Sequence, residues 1–297
     1  MSMKFYIVTP TFNSINWLPC CIRSVADQVC EGIQVHHHIQ DGGSNDGTVQ
    51  WLEMWKLSHS GLDHYTFTYE SKKDEGMYDA INKAWEKMPS DADVTAHLNS
   101  DEQYLPQALL NVSNAFVEHS SADIALSTYI VMDSDNRYIC HRRPLYPGKY
   151  TSIVACDIFT CTCFHRVPFF MQHGIRFNPR WRSIGDAIFY KEIVALKPEF
   201  LVLNEVITSA FAVTGNNLAW TDVTQKEAEA YFMTVPSYLL KLRSFLCGWS
   251  RLRRRIKDLW CTTPKEFAVY CHSSDKRSNI IIKHPTTHWG CRTEGEQ

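Results

Sequence analysis

The sequence has no long hydrophobic run and no excess of one charge sign. No stretch approaches the roughly 18 apolar residues in a row that identify a membrane-spanning helix, so none is predicted. The 30 Lys and Arg residues almost balance the 32 Asp and Glu residues, which gives a formal net charge of −2. Since proteins that bind nucleic acid are usually basic, this balance predicts no nucleic-acid partner.

The sequence also lacks a recognisable signal peptide and the cysteine spacing that is typical of zinc sites. The first apolar run ends at Pro10, too early for the apolar core and cleavage site of a signal peptide. The eleven cysteines are scattered, and without an export signal they predict free thiols and a cytoplasmic protein. Cys161 and Cys163 form C-x-C rather than the C-x2-C typical of zinc sites, and His36–His38 lie in a strand-like run, so a structural role is favoured for both groups.

What the sequence does contain is an alternation of strand-like and helix-like segments. Short runs rich in β-branched and aromatic residues are followed, four times over, by apolar residues at helical spacing. This order predicts an α/β protein with a mostly parallel sheet and helices on both faces. The predicted strands are 4–10, 33–44, 64–71, 93–99 and 123–133, and the predicted helices are 17–29, 48–57, 77–88 and 106–119.

The alternation becomes irregular after about residue 140. Segment 151–170 is apolar and predicts strand, 185–196 predicts a helix, and 198–215 predicts two short strands. From residue 221 the chain is helical in pattern and basic. We therefore expect two parts, an α/β domain over 1–220 and a helical, irregular extension over 221–297.

Polar clusters follow four of the predicted strands. The carboxyl ends of parallel strands meet at one edge of a sheet, and ligands of α/β proteins bind at that edge. The four clusters therefore predict a single binding site rather than scattered surface polarity. They are Thr9–Asn13, Asp41–Ser44, Glu70–Ser71 and Asn99–Glu102.

Two of these clusters carry acids whose chemistry allows more than one interpretation. Asp101 and Glu102 suit a hard divalent cation such as Mg²⁺ or Mn²⁺, but Ser100 or Asp101 is equally compatible with capping a helix that begins near Pro106. Asp41, followed by two glycines, can accept an N–H from a pyrimidine base, although the same segment is also a good turn sequence.

Taken together, the motifs resemble the family 2 glycosyltransferases of GT-A fold, in particular the bacterial enzymes that build capsular, exo- and O-antigen polysaccharides. The resemblance extends from residue 4 to about 215 and is strongest before 110. It implies inverting transfer of a sugar from a nucleotide diphosphate sugar, expected to be UDP-linked, to a hydroxyl of a glycan or lipid-linked glycan. The motifs are TPTFN (9–13), QDGGSNDGT (40–48), ESKKDEGMYDAINKA (70–84) and LNSDEQYLP (98–106).

The resemblance also implies roles for single residues. Asp41 matches the residue that binds the nucleotide base, Asp101 the ligand of Mn²⁺ or Mg²⁺, and Asp186 the catalytic base, with a helix N-cap as the alternative for Asp186. Asp46 is expected to cap the helix that follows it. The other positions expected to contact the nucleotide sugar are Thr9, Pro10, Thr11, Asn13, Asp74, Gly76, Asp79, Lys83, Asn99 and Ser100, with a solvated helix lysine as the alternative for Lys83.

The chain departs from the family pattern at the acidic motif. Asn99 replaces the first aspartate of D-x-D, and Glu102 replaces a frequent second aspartate after Asp101. With one fewer carboxylate, metal binding is expected to depend on oxygens from the nucleotide phosphates. The departure motivates a rival hypothesis, a nucleotide-sugar-binding protein that has lost catalysis. A nucleotidyltransferase is the weaker rival, because segment 9–14 lacks the glycines and lysine of its phosphate-binding loop.

Segment 237–260 combines apolar residues at helical spacing with Lys and Arg. Such a helix is compatible with an anionic membrane surface, which suits a lipid-linked acceptor and the inner face of the cell membrane. It is equally compatible with packing on its own domain or in a homodimer.

Overall fold

The computed structural model describes residues 2–155, 158–215, 221–260, 263, 265–272 and 274–288. The strands are Met3–Thr11 (β1), Ile33–Asp41 (β2), Tyr65–Ser71 (β3), Val94–His97 (β4), Glu102–Tyr104 (β5), Ile124–Asp133 (β6), Tyr138–Arg142 (β7), Cys163–Arg166 (β8), Phe200–Val213 (β9), Lys265–Tyr270 (β10) and Arg277–Ile282 (β11). The helices are Leu18–Ala26 (α1), Thr48–Ser58 (α2), Met77–Trp85 (α3), Ala108–Glu118 (α4), Thr151–Val154 (α5), Val167–Gln172 (α6), Gly185–Ala195 (α7), Asp222–Thr234 (α8), Ser237–Lys241 (α9) and Arg243–Ile256 (α10).

One large sheet organises the chain, in the order β3-β2-β1-β4-β8-β6-β9-β5, with β7 beside β6. Its first four strands are parallel, and alternate residues of β1 enter two separate hydrophobic cores. Phe5 and Ile7 pack against α1, α2 and α4, whereas Tyr6 and Val8 pack toward α3 and α7. The predicted α/β class, with helices on both faces of the sheet, is therefore confirmed.

The second half of the sheet is mixed and departs from the sequence prediction. β8 is antiparallel to β4 and β6, while β9 is parallel to β6 and antiparallel to β5. The strand predicted over 151–170 is confirmed only at β8, since the other described elements of this segment are α5, a short 3-10 helix at Thr160–Thr162 and α6. Pro168 lies in the first turn of α6, where a missing N–H costs nothing. The two strands predicted over 198–215 are one strand, β9, whose pairing with β6 is irregular near Thr128.

The C-terminal elements pack on the rest of the molecule. The basic helical segment forms α8, α9 and α10, and Tyr231, Val235 and Leu239 share a small core with Val154 and Ile188. β10 and β11 form a hairpin that covers the sheet near β5 and β6. The boundary predicted at residue 220 lies in 216–220, outside the described residues. Among the described helices, none has the length and hydropathy that a membrane span requires.

Candidate functional site

The ends of β1, β2 and β3 lie side by side, because their register pairs Thr11 with Asp41 and Asp41 with Ser71. The carboxylate of Asp41 is fully buried and accepts hydrogen bonds from the backbone N–H groups of Gly43 and Ser44, each at 3.0 Å. The hydroxyl of Ser71 donates to the same carboxylate at 2.6 Å. Asp41 therefore shapes the turn that follows β2 and ties it to β3.

The loop after β1 is fastened to the same turn. The backbone N–H of Asn13 donates to the Ser44 hydroxyl at 2.7 Å, and the Asn13 side-chain oxygen accepts from the backbone N–H of Asn45 at 2.9 Å. Asp46 bonds to the backbone N–H of Thr48 at 3.0 Å, but the N-cap position of α2 is Gly47, with φ at 99°. Asp46 was predicted to be the N-cap residue, but it lies one residue before the N-cap and bonds to the first turn of α2 from there.

The segment after β3 contacts the turn after β2. A Cβ at Gly42 would lie 2.8 Å from Asp74 Oδ2, so the turn after β2 and the Asp74 carboxylate are in close contact. Asp74 Oδ1 accepts from the N–H of Gly76, and burial raises the pKa of Asp74. Asp79 and Lys83 form an ion pair at 2.6 Å on α3. Lys83 is therefore neutralised within the protein rather than fully solvated.

The acidic motif forms a turn between β4 and β5. Glu102 Oε2 accepts from the backbone N–H of Asn99 at 2.7 Å, and the Glu102 N–H donates back to the Asn99 carbonyl at 3.0 Å. The hydroxyl of Ser100 donates to that of Ser14 at 3.1 Å. The helix-cap interpretation of Asp101 was wrong, because β5 separates Asp101 from α4, whose N-cap position is Gln107.

Asp186 lies on α7 and is linked to Tyr78 of α3. The hydroxyl of Tyr78, on α3, donates to the carbonyl of Ser183 at 3.1 Å and lies 3.4 Å from Asp186 Oδ1, while the Asp186 N–H donates to the hydroxyl at 3.1 Å. The N-cap alternative was wrong, since Ile184 occupies that position. Burial raises the pKa of Asp186, and the Asp186 charge contributes to the raised pKa of Glu102.

Two residues of the motif segments, Tyr78 and Phe12, had no predicted role. Tyr78 holds the start of α7 against α3, and Phe12 stands 62% exposed at the end of β1. Both lie inside the motif segments, 9–13 and 70–84, so the sequence contained the signal. Tyr78 was missed because a tyrosine in a helical pattern ordinarily indicates core packing.

The oxygens around Asp101 are suited to a divalent cation. The side-chain oxygens Asn99 Oδ1 and Glu102 Oε1 are buried and lack hydrogen-bond partners in the described structure. Within the described residues, no three His, Cys, Asp or Glu side chains are grouped to hold a metal ion. The site therefore offers few protein ligands, and its unpaired oxygens are of the type that Mg²⁺ and Mn²⁺ bind.

The contact between Tyr78 and Gly185 gives a first testable prediction. A Cβ on Gly185 would overlap the Tyr78 ring, so Gly185→Ala must displace the ring or α7. Overpacking of this kind costs about 2 kcal/mol, which corresponds to a Tm loss of about 6 °C, measured by thermal denaturation. Gly248→Ala is the control, because a Cβ there meets nothing within 4 Å. An unchanged Tm in Gly185→Ala would contradict the contact.

A second prediction concerns the pH dependence of stability. Burial, together with the Asp101 charge, raises the pKa of Glu102 to about 8, and burial raises that of Asp101 to about 6. The folded protein therefore holds these protons more tightly than the unfolded chain. Stability from this source is complete below the ordinary carboxyl pKa and declines as the pH rises toward 8.

In metal-free buffer we expect the wild-type Tm to fall between pH 5 and 9 by about 5 °C more than the Tm of Glu102→Gln. The glutamine keeps an acceptor for the Asn99 N–H but carries no titrating proton. Glu118→Gln, at the exposed end of α4, should follow the wild-type curve. Parallel curves for wild type and Glu102→Gln would refute the pKa assignment.

The fold and the site define an α/β protein that gathers acidic and polar groups at the carboxyl ends of parallel strands. The family model described as "Glycosyl transferase family 2" matches residues 6–177, more than half of the chain. The chain therefore belongs to this family, and the predicted family and GT-A fold are confirmed.

Curated relatives and solved structures agree with this assignment. The chain is 27% identical, over 135 residues, to the "PGL/p-HBAD biosynthesis glycosyltransferase" of Mycobacterium tuberculosis and to that of Mycobacterium bovis, matching 45% of this chain and 50% of theirs. The chain thus spans about half the length of these relatives.

Two solved structures share the fold at low sequence identity. S. aureus TarS in complex with UDP-GlcNAc has a TM-score of 0.53 at 17% identity, over 74% of this chain and 61% of that one. Mannosyltransferase PcManGT from Pyrobaculum calidifontis, in complex with GDP-Man and Mn²⁺, has a TM-score of 0.56 at 11% identity, over 88% and 77%.

Proposed function

We propose that the protein transfers a sugar from a UDP-linked donor to an acceptor hydroxyl with inversion at the anomeric carbon. The observation that carries the proposal is the placement of Asp186. Its half-buried carboxylate is held by Tyr78, and its charge contributes to the raised pKa of Glu102 in the turn after β4. Asp186 is proposed to face the edge of the sheet where the donor phosphates bind, and Asp101 belongs to the turn after β4.

In this reaction Asp186 takes the proton of the acceptor hydroxyl. The oxygen attacks the anomeric carbon from the face opposite the nucleotide, the bond from carbon to phosphate oxygen breaks, and UDP leaves with the electron pair. A carboxylate whose pKa is raised by burial suits a general base, because its basicity is closer to neutral pH. The unprotonated form is required, so activity should decline in acid.

The donor is proposed to lie across the ends of β1 to β4. Phe12 offers an exposed ring on which the base can stack, and the turn shaped by Asp41 forms the adjoining wall. Thr9, Pro10, Thr11 and Asn13 are proposed to border the base, and Asp74, Gly76, Asp79 and Lys83 the diphosphate and sugar. UDP and UDP-GlcNAc complexes of TarS support a uridine nucleotide.

Asp101 is proposed to hold Mn²⁺ or Mg²⁺, with Asn99 and Ser100 beside it. When bound, the ion would offset the negative charge that develops on the departing diphosphate. The Mn²⁺ complex of the Pyrobaculum mannosyltransferase supports divalent metal use in this fold. The small number of protein oxygens suggests that donor phosphates supply the remaining ligands.

The acceptor is proposed to be an anionic glycan, such as a phosphate-linked lipid carrier would provide in cell-surface polysaccharide synthesis. A pocket next to the 3-10 helix is lined by Arg142, Arg143 and Arg254. Arg143 is nine-tenths buried, pairs with Glu205 at 3.2 Å, and leaves its Nε without a partner in the described structure. The three guanidinium groups make the lining of this pocket basic, which favours a phosphate-bearing ligand.

The proposal is tested by measuring UDP release from a panel of UDP-sugars, with Mn²⁺ or with EDTA, alongside thermal shifts with UDP and GDP. UDP release that depends on Mn²⁺, and a thermal shift with UDP, are the expected results. A shift by UDP without release would favour the binding-protein rival. A shift by GDP alone would contradict the choice of nucleotide, and no response to any nucleotide would refute the proposed function.

A further inference from the structure

Helix α10 is oriented with its apolar side toward solvent. Phe245, Trp249, Leu252 and Ile256 follow one another at spacings of four, three and four residues, so they form a single stripe along the helix. Their exposed fractions are 68%, 47%, 46% and 70%. We call these four residues the apolar stripe. An amphipathic helix of a water-soluble protein normally turns this side inward.

The opposite side of the helix faces the protein and is polar apart from Leu246 and Cys247 near its start. Ser250 and Arg254 are buried, and the Arg254 guanidinium donates to the backbone carbonyl of Arg143 at 2.8 Å. The Arg253 guanidinium donates to the carbonyl of Tyr146 at 3.0 Å. These bonds to carbonyl groups fix the rotation of the helix. The outward direction of the apolar stripe is therefore built into the packing of α10.

The surroundings of the apolar stripe are basic. Segment 237–260 contains seven Lys and Arg residues and one acid, Asp258, in a chain whose formal net charge is −2. Arg251 and Arg255 are exposed and immediately precede two members of the stripe. Exposed Tyr238 and Trp260 flank it in sequence, and such aromatic residues are favoured at the boundary between lipid and water.

From this arrangement we propose that the apolar stripe of α10 docks the protein on an anionic lipid bilayer. Apolar side chains enter the boundary between head groups and acyl chains, while Arg251 and Arg255 contact the negatively charged head groups. A second copy of the chain fits less well, because the basic residues beside two such stripes would repel one another across a symmetric contact.

The proposal is tested on the full-length protein by flotation with vesicles of phosphatidylcholine alone and of phosphatidylcholine mixed with phosphatidylglycerol. We expect binding to the mixed vesicles, a large loss of that binding in high salt, and a blue shift of tryptophan fluorescence on binding. The fourfold variant F245Q, W249Q, L252Q and I256Q should lose about a hundredfold in affinity, and R251Q with R255Q about tenfold.

The control variant carries M54Q and L57Q, which replace exposed apolar residues of α2 and should bind like wild type. All variants should keep the wild-type Tm and the wild-type rate of UDP release, because none touches the donor site. Equal vesicle binding by wild type and the fourfold variant would overturn the proposal. So would wild-type dimers that dissociate in the fourfold variant, since they would assign the apolar stripe to a second copy.

Discussion

Replacing Asp186 with asparagine is expected to lower kcat by a factor of about 10² to 10⁴, the range that general-base catalysis contributes. The substitution preserves the shape of the side chain and an acceptor for the N–H of Ala187, which now donates to Asp186 at 2.8 Å. It removes the capacity to take a proton from the acceptor. Donor binding, measured as the thermal shift with UDP and Mn²⁺, should remain, because Asp186 lies on α7 rather than on the strand ends.

The pH profile separates a catalytic role for Asp186 from a structural one. Because burial raises the pKa of Asp186, the wild-type rate should fall on the acid side at a higher pH than an exposed aspartate would give, and this limb should vanish from the residual activity of Asp186→Asn. Asp222→Asn is the matched control, an acid in the first turn of α8 that is exposed. Full activity in Asp186→Asn would show that another group is the base.

Replacing Asp101 with alanine is the second change with a large expected effect. We expect kcat/KM to fall about a thousandfold, which corresponds to about 4 kcal/mol of lost transition-state stabilisation at the diphosphate. The stimulation by Mn²⁺ and the Mn²⁺-dependent part of the UDP thermal shift should disappear together. The stability of the metal-free protein should not fall, because a half-buried carboxylate with a raised pKa is removed.

The control for Asp101→Ala is Asp135→Ala, in the exposed turn between β6 and β7, which should leave every readout at the wild-type value. Retention of Mn²⁺ stimulation in Asp101→Ala would mean that the ion is held elsewhere. Loss of activity with an intact Mn²⁺-dependent UDP shift would place Asp101 in catalysis but not in metal binding.

The N-terminal half of the fold was predictable because its signals are local. Each strand of the parallel sheet is a short apolar run, and the apolar residues of each helix recur at helical spacing. The strands β1 to β4 and the helices α1 to α4 therefore lie where the sequence predicts them. Segment 151–170 was not predictable outside β8, because its β-branched and aromatic residues favour strand while tertiary contacts impose helices.

The candidate site was predictable in part for the same reason. Strand-end residues such as Asp41 and Asp101 follow from topology, whereas Asp186 lies far along the chain and was identified only by resemblance. The side of α10 that faces the protein could not be predicted at all. Its pattern defines two sides, but the bonds from Arg253 and Arg254 to distant carbonyl groups decide which side turns inward.

The hairpin of β10 and β11 affects the order in which the chain folds during synthesis. Gln103 of β5 exchanges hydrogen bonds with the backbone of Tyr270, and Arg277 binds both Asp27 and the carbonyl of Tyr104. Strand β5 directly follows the turn that carries Asp101. Its final neighbours therefore reach it only after residues 265–282 have left the ribosome. A nascent chain can form the parallel strands early, but the acidic turn gains its full support only after residues 265–282 have been synthesised.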